Sequence, residues 1–273
     1  MRKSTELLGS MCVITGGAGL LGREHAIAML SLGADVVLWD LNAKQLAERE
    51  QNLLSEFPGS RIIAQNVDIT SESSVIQKFN ELLAQGLNPR VLINNAAINY
   101  SPESLKDSET RPENFSVETW RNEIEVGLTG AFICSKIIGS HFIGAKQGVI
   151  INISSDLSVI APDQRVYEKS NLSLEEQPMK PISYSVTKTG LIGLTRYLAS
   201  SWANFGVRVN AISPGGVFNN HQSEFTQKLE ERIPLGRMAR KEEYRSAIQF
   251  LSTDDSAYMT GQNLIMDGGR SIW

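Results

Sequence analysis

The residues Ser183-Tyr184-Ser185-Val186-Thr187-Lys188 place a phenol four positions before an ammonium, in a segment whose pattern predicts a helix over about 184–203. That spacing puts both side chains on one helical face, about one turn apart. A free tyrosine titrates near ~10. A fixed cation beside it favours the phenolate and draws the group toward the working range of a general acid or base. The same pair also describes an ordinary solvated helix face, so the choice rests on the rest of the chain.

The elements that must position the pair read as short apolar strands at 11–15, 35–40, 61–67, 90–94, 148–153, 207–212 and 263–266. Helices are predicted between them, beginning after the glycines at 16–22 and near 42, 71, 117, 184 and 242. The helix from 117 runs to about 142, with Trp120, Ile124, Leu128, Ala131 and Phe132 on one side; the polar stretch 101–114 is expected as a loop. Strands alternating with helices imply right-handed βαβ units. The fold class is therefore α/β, a Rossmann-type doubly wound parallel sheet with helices on both faces. No linker or composition break interrupts the chain, so 1–273 is expected to be a single domain.

Ligands of such sheets sit outside the carboxyl ends of the strands. The first strand ends in Gly16-Gly17-Ala18-Gly19-Leu20-Leu21-Gly22, which opens a helix. Glycines let the backbone approach a pyrophosphate, and the helix N-terminus offers free N–H groups. Asp40 closes the second strand, where a carboxylate can accept hydrogen bonds from an adenosine ribose and repel a 2′-phosphate. This predicts NAD rather than NADP, as does the lack of Arg or Lys before Lys44. The bland alternative for Asp40 is a turn or capping aspartate. Asp68, after the third strand, could meet the adenine amino group or cap the next turn. Asn94-Asn95-Ala96-Ala97 offers small residues beneath a ribose, or a tight strand exit held by Asn side chains.

Composition narrows the function classes. The chain has 273 residues, 41% hydrophobic and 21% charged, with net charge −4, which argues against an electrostatic nucleic-acid binder. The mixed charges of 228–232 read as a solvated helix face. Cys12 and Cys134 read as buried, inert thiols. His25, His141 and His221 show no ligand spacing, so no metal site is expected. No apolar stretch approaching the ~18–20 residues of a membrane span is evident, and no signal core follows Arg2 and Lys3; a cytoplasmic protein is the expectation.

Together, the Thr15–Gly22 turn, Asn94-Asn95-Ala96-Ala97, Asn152-Ile153-Ser154-Ser155, Tyr184–Lys188, Asn210-Ala211-Ile212-Ser213-Pro214-Gly215 and the tail from Thr260-Gly261-Gln262 to Asp267-Gly268-Gly269 resemble the short-chain dehydrogenase/reductase family, in its compact branch, over the whole chain and in the family's order. The resemblance implies that Tyr184 exchanges the proton at the reacting oxygen. Lys188 would hold the nicotinamide ribose and lower the tyrosine pKa, and Ser155 would orient the carbonyl or hydroxyl. It implies a cofactor site of Gly16, Gly19, Leu20, Leu21, Gly22, Asp40, Leu41, Asp68, Ile69, Asn95, Ala96, Ala97, Tyr184, Lys188, Pro214, Gly215, Val217 and Asn219. It also implies a homo-oligomer, tetramer or dimer, built through the long helices and the C-terminal strand. Phe132, Ile192, Leu194, Tyr197 and Trp202 could serve that interface or plain core packing, and the apolar end Ile272-Trp273 could dock on a neighbour.

Three departures stand out. Leu20 occupies a position where the compact branch usually has glycine; the resulting spacing resembles the extended branch of epimerases and dehydratases. Gly127 stands where the family's relay asparagine is expected; it could only leave room for water, at a mid-helix cost of about 1 kcal/mol. Ser155 and Tyr184 are 29 residues apart, so an insert at about 157–181, rich in charge (Asp163, Arg165, Glu168, Lys169, Glu175, Glu176) and carrying Tyr167, must pass near the site as a solvated surface loop or a polar lid. The leading expectation is an NAD-dependent oxidoreductase acting on a secondary alcohol or ketone of a polar, sugar-derived substrate. The insert and tail are also similar to dehydrogenases of surface-glycan and flagellin modification. The alternatives are an epimerase or dehydratase with tightly bound NAD, or a non-catalytic dinucleotide-binding protein.

Overall fold

The computed structural model describes residues 7–98 and 106–273; Arg2, Lys3 and the first part of the loop expected over 101–114 lie outside them. Seven strands, β1 (Met11–Thr15), β2 (Asp35–Asp40), β3 (Ile62–Asn66), β4 (Pro89–Asn94), β5 (Gly148–Ile153), β6 (Val207–Pro214) and β7 (Asn263–Met266), form one sheet in the order β3-β2-β1-β4-β5-β6-β7. Every pairing is parallel. All seven therefore end on the same edge, and the chain reverses direction across the sheet between β1 and β4, where a crevice opens for a ligand.

Central strands β1 and β5 are buried along their whole length, as expected of a parallel sheet covered on both faces. One face carries α1 (Leu20–Ser31), α2 (Ala43–Glu56) and α8 (Arg245–Ser252), packed through Ile27, Leu30, Leu46, Leu53, Ile248 and Leu251. The other carries α3 (Glu72–Ala84), α5 (Gly130–Ala145) and α6 (Ile182–Trp202), packed through Phe79, Leu82, Ile138, Phe142 and Leu198. Asn42 and Ser71 cap α2 and α3, each side-chain oxygen accepting a backbone N–H of the first turn.

The long helix predicted from 117 is interrupted. α4 (Val117–Ile124) passes through a π-turn, Glu125–Thr129, before continuing as α5. The continuous helical run Val117–Ala145 is long and apolar enough to span a bilayer, with mean hydropathy 1.4 over its most apolar window. This overturns the expectation that no such stretch exists. The run is half buried inside the protein, with Ile133, Cys134, Ile138 and Phe142 packed on the sheet, so its apolarity serves the core. After β6 the sequence reading marks only a solvated helix face at 228–232; the structure has a helix there, α7 (Ser223–Glu230). Its charged face hides a short apolar stripe that packs on the insert.

Candidate active site

The glycine turn is shaped by close backbone contacts. Gly16 adopts φ +63°, and a Cβ there would lie 2.8 Å from Ala96 Cα; a Cβ on Gly22 would lie 2.3 Å from Gly16 O. Leu20 and Leu21 begin α1, and Gly19 is its N-cap without a side-chain cap or acidic residue in the first turn. The first intrahelical bond runs from Arg23 N–H to Gly19 O at 3.2 Å, so the N–H groups of Leu20, Leu21 and Gly22 are left for an anion. Leu20 leaves the turn intact because it is the first residue of the helix. Asn95 and Ala96 donate their backbone N–H to Thr15 Oγ1 at 3.0 and 3.1 Å. The Asn95 amide donates to Thr15 O and Gly16 O. Asn95, Ala96 and Ala97 thus lie directly beside the turn, and the bland strand-exit role of Asn95 is real. This cradle, kept open by missing side chains and lined by free N–H groups, fits a dinucleotide pyrophosphate.

Asp40 joins the same site from β2. Its Oδ2 accepts the Ala18 N–H and its Oδ1 accepts the Asn42 N–H, both at 3.0 Å, so it braces the glycine turn and starts the next one. Leu41 is exposed at the rim. Arg49, beyond the residues weighed for cofactor choice, is carried back by α2 to donate to Ala18 O at 3.0 Å. A guanidinium therefore lies near the ribose end, and the inference drawn from the lack of Arg or Lys before Lys44 loses its force. Asp68 takes its turn-capping role: Oδ1 accepts from Thr70 N–H at 2.9 Å and Thr70 Oγ1 at 2.7 Å. Ile69 is buried, its Cδ1 close behind Gly130; it packs α5 and is not a free lining residue. Past β6, Gly215 approaches Asp267 so closely that a Cβ would lie 2.7 Å from its Cα. Pro214 ends the strand and Val217 bridges to Ala239. Asn219 is exposed, its N–H donating to His221 Nδ1.

Ser155, Tyr184 and Lys188 meet at the carboxyl end of β5. Lys188 Nζ sits 5.7 Å from the Tyr184 ring centroid and donates to Ile153 O at 2.7 Å. Ser154 Oγ donates to Lys188 O at 2.7 Å, tying α6 to the strand end. Behind them a buried amide ladder, Asn94 Nδ2 to Asn152 Oδ1 and Asn152 Nδ2 to Thr195 Oγ1, both 2.8 Å, locks β4, β5 and α6 in register. The tyrosine pKa departs from expectation. Burial pushes the Tyr184 phenol up to about 12, outweighing the Ser155 hydroxyl beside it. Burial, with the Lys180 charge adding to it, brings Lys188 down to about 8. Desolvation penalises both charged forms, so the resting pair is a neutral phenol beside a readily deprotonated ammonium.

The space at Gly127 is also explained differently. Its Cβ would lie 2.5 Å from Thr187 Cγ2. Gly127 does not leave room for water; it admits the Thr187 methyl and lets α4 and α6 close together at the π-turn.

The 157–181 insert is not a loose surface loop. Val166, in its short helical turn Gln164–Tyr167, is buried against Leu229, Ile233 and Met238. Asp163 takes Arg165 at 2.8 Å and Arg232 at 2.5 Å, and Lys228 Nζ donates to Glu168 O at 2.7 Å. Three groups escaped the sequence reading. Lys180 lies over the Tyr184 ring, 4.0 Å from its centroid; it stands before α6, whose N-cap is Pro181, so no helical spacing signals it. Asp156 and Arg270, far apart in sequence, carry no such signal. Arg270 Nη1 donates to Asp156 Oδ2 at 2.7 Å, both side chains nearly fully buried, and Ser155 Oγ donates to Asp156 Oδ1 at 2.8 Å. Removing the guanidinium strands a buried carboxylate. Arg270→Met is therefore expected to lower unfolding free energy by about 3–5 kcal/mol in urea denaturation. Asp156→Asn in that background should recover part of the loss; a loss below about 1 kcal/mol, the level of a surface pair, would contradict the pairing.

Comparison with known proteins bears on this geometry. Residues 17–271 match the family model described as enoyl-(acyl carrier protein) reductase. The chain is similar to the NAD-dependent glycerol dehydrogenase of Listeria innocua, at 29% identity, covering 99% of this chain and 97% of that protein. It is 31% identical to cis-4-hydroxycyclohexanecarboxylate dehydrogenase of Sinomonas cyclohexanicum, over 95% of both chains. Among solved structures, a gluconate 5-dehydrogenase from Burkholderia cenocepacia in complex with NADP and tartrate superposes with a TM-score of 0.84 at 25% identity, covering 100% of this chain and 99% of that one.

Proposed function

Since the chain belongs to the short-chain dehydrogenase/reductase family, whose members here are nicotinamide-dependent oxidoreductases, we propose that it interconverts a secondary alcohol and a ketone on a polar, polyhydroxylated substrate, with NAD as the preferred cofactor. The observation that carries this reading is the convergence of Ser155, Tyr184 and Lys188 at the strand edge that also bears the Gly16–Gly22 cradle. The nicotinamide, when bound, supplies or accepts the hydride at its C4. The protein does the rest. Tyr184, a neutral phenol at rest, donates its proton to the ketone oxygen in reduction and recovers it from the alcohol in oxidation. Ser155 would hold that oxygen, and Lys188 would hold the ribose and supply positive charge beside the phenol. With the dinucleotide bound, the Leu20–Gly22 N–H groups would hold its pyrophosphate, and Asp40 would accept from the ribose hydroxyls. The insert, fastened to α7, brings Tyr167 near Tyr184; relatives named for glycerol and gluconate support a hydroxylated substrate. Phe132 and Tyr197, exposed on α5 and α6, support a homo-oligomer; Ile192 is core.

The test is a panel of polyols, sugar acids and unsubstituted secondary alcohols, each with NAD or NADP, followed by reduced-nicotinamide absorbance. Turnover concentrated among polyols with NAD is expected. Turnover of unsubstituted alcohols alone would refute the substrate class, and no turnover of any member in either direction would refute the reading.

A further inference from the structure

The tail motif Asp267-Gly268-Gly269 takes no part in the function described above, yet it delivers a guanidinium to the residue next to Ser155. Gly269 adopts φ +89° and lies so close to Pro234 that a Cβ would be 2.9 Å from its Cγ. The Asp267 carboxylate ties the turn that follows: Oδ1 accepts the Gly269 N–H at 2.9 Å and Oδ2 the Ser271 N–H at 2.7 Å. Leu235 N–H donates to Gly268 O at 3.1 Å, fastening the tail to the segment after α7. Arg270 is thereby held with its side chain turned inward, where Nη1 donates to Asp156 Oδ2 at 2.7 Å. The Arg270 and Asp156 side chains are 9% and 4% exposed.

The other oxygen of Asp156 fixes the proton of Ser155. Ser155 Oγ and Asp156 Oδ1 are 2.8 Å apart. A carboxylate engaged by a guanidinium only accepts, so the hydroxyl is the donor. Leu157 N–H donates to Ser155 Oγ at 3.2 Å and to the same Oδ1 at 2.9 Å. A serine hydroxyl has one proton and two acceptor positions. Its proton and one acceptor position are therefore taken from within the chain, and one acceptor position is left for the reacting oxygen. A substrate hydroxyl can donate to it. A ketone oxygen carries no proton and can be held by Ser155 only once the bond to Asp156 breaks.

We propose that Asp156, anchored by Arg270 of the tail, is a positioning residue that presents Ser155 to the substrate as a hydrogen-bond acceptor, so that the site favours the alcohol over its ketone. The inference rests on the dehydrogenase reading for the class of substrate, but not for the Ser155–Asp156 bond itself.

The test uses Asp156→Leu/Arg270→Met, in which apolar side chains replace both charges, an exchange that buried ion pairs often tolerate. Asp156→Asn is the second variant, and each is made with and without Ser155→Ala. Dissociation constants are measured in the non-reacting ternary complexes, glycerol with NADH bound and dihydroxyacetone with NAD bound, or the alcohol and ketone of the panel that turn over fastest. A freed Ser155 proton can be donated to the ketone. The ratio of the ketone to the alcohol dissociation constant is therefore expected to fall by about tenfold, the worth of one hydrogen bond to a charged group. The fall should vanish in the Ser155→Ala background. General damage to the site would move both constants together and leave their ratio alone. An unchanged or raised ratio, or a fall that persists without the Ser155 hydroxyl, overturns the proposal. If the double variant does not fold, Asp156→Asn decides by the same ratio: Arg270 keeps the amide oxygen, and the amide N–H group that then faces Ser155 frees the serine's proton. A crystal structure of the double variant needs no substrate. Ser155 Oγ is expected to leave its place beside residue 156, and an unmoved Oγ overturns the positioning role. A failed dehydrogenase reading and a failed Ser155–Asp156 link thus give different results.

Discussion

Tyr184→Phe is expected to lower kcat by about 10³-fold, the contribution of a positioned general acid, while leaving the dissociation constant for NADH unchanged. The reason lies in where the phenol sits. Its ring lies beside Lys180 and Lys188, and phenylalanine keeps that packing while removing the hydroxyl that carries the proton. Nucleotide binding rests on the Gly16–Gly22 cradle and Asp40, from β1 and β2, and does not need the hydroxyl. The pH dependence follows from the raised phenol and the lowered ammonium. With Tyr184 at about 12, the acid needed for ketone reduction is protonated across neutral pH. Lys188, at about 8, loses its charge as pH rises, and with it the positive field beside the ribose and phenol. Reductive kcat is therefore expected to be flat below neutrality and to fall as pH rises through about 8. Steady-state rates on a ketone from pH 5.5 to 9.5, about two units around the transition, check this together with NADH titration by fluorescence. A phenylalanine variant within tenfold of the unmodified rate would remove Tyr184 from the chemistry.

Asp40→Asn is expected to shift the ratio of kcat/KM for NADP to that for NAD by about 10²-fold in favour of NADP. Like charges brought together cost several kcal/mol, and the asparagine removes one of them. It retains one acceptor oxygen for the two N–H groups, Ala18 and Asn42, that Asp40 now serves at 3.0 Å each, so the turn should persist. Arg49, fixed against Ala18 O, is the cation placed to meet a 2′-phosphate once the carboxylate is gone. Its presence predicts measurable NADP use even in the unmodified protein. Parallel initial-rate measurements with both cofactors decide the matter; an unchanged ratio in the variant would assign the discrimination elsewhere.

Much of the fold was legible in the order of residues. Buried parallel strands leave continuous apolar runs such as Val91-Leu92-Ile93, and a glycine turn between strand and helix has few other uses. Tyr184 and Lys188 were legible for the same local reason: a helix converts a spacing of four into one face. Boundaries near the site were less so. The π-turn at Glu125–Thr129 lies where Gly127 and Thr187, on different helices, come close together, and no helical period records that. α7 was obscured because only Phe225 and Leu229 among its eight residues are apolar, and partners of theirs, Val166 among them, lie in the insert.

From the sequence alone came the strand–helix alternation, the phosphate cradle and the Tyr184–Lys188 pair, because each is a short-range pattern that backbone geometry turns directly into shape. Tertiary structure alone settled the environment of those groups: Asp156 with Arg270, Arg49 against Ala18, Lys180 over the Tyr184 ring, and the burial that lifts the phenol to about 12. Those depend on which distant side chains exclude water from one another, and desolvation is a property of the packed whole.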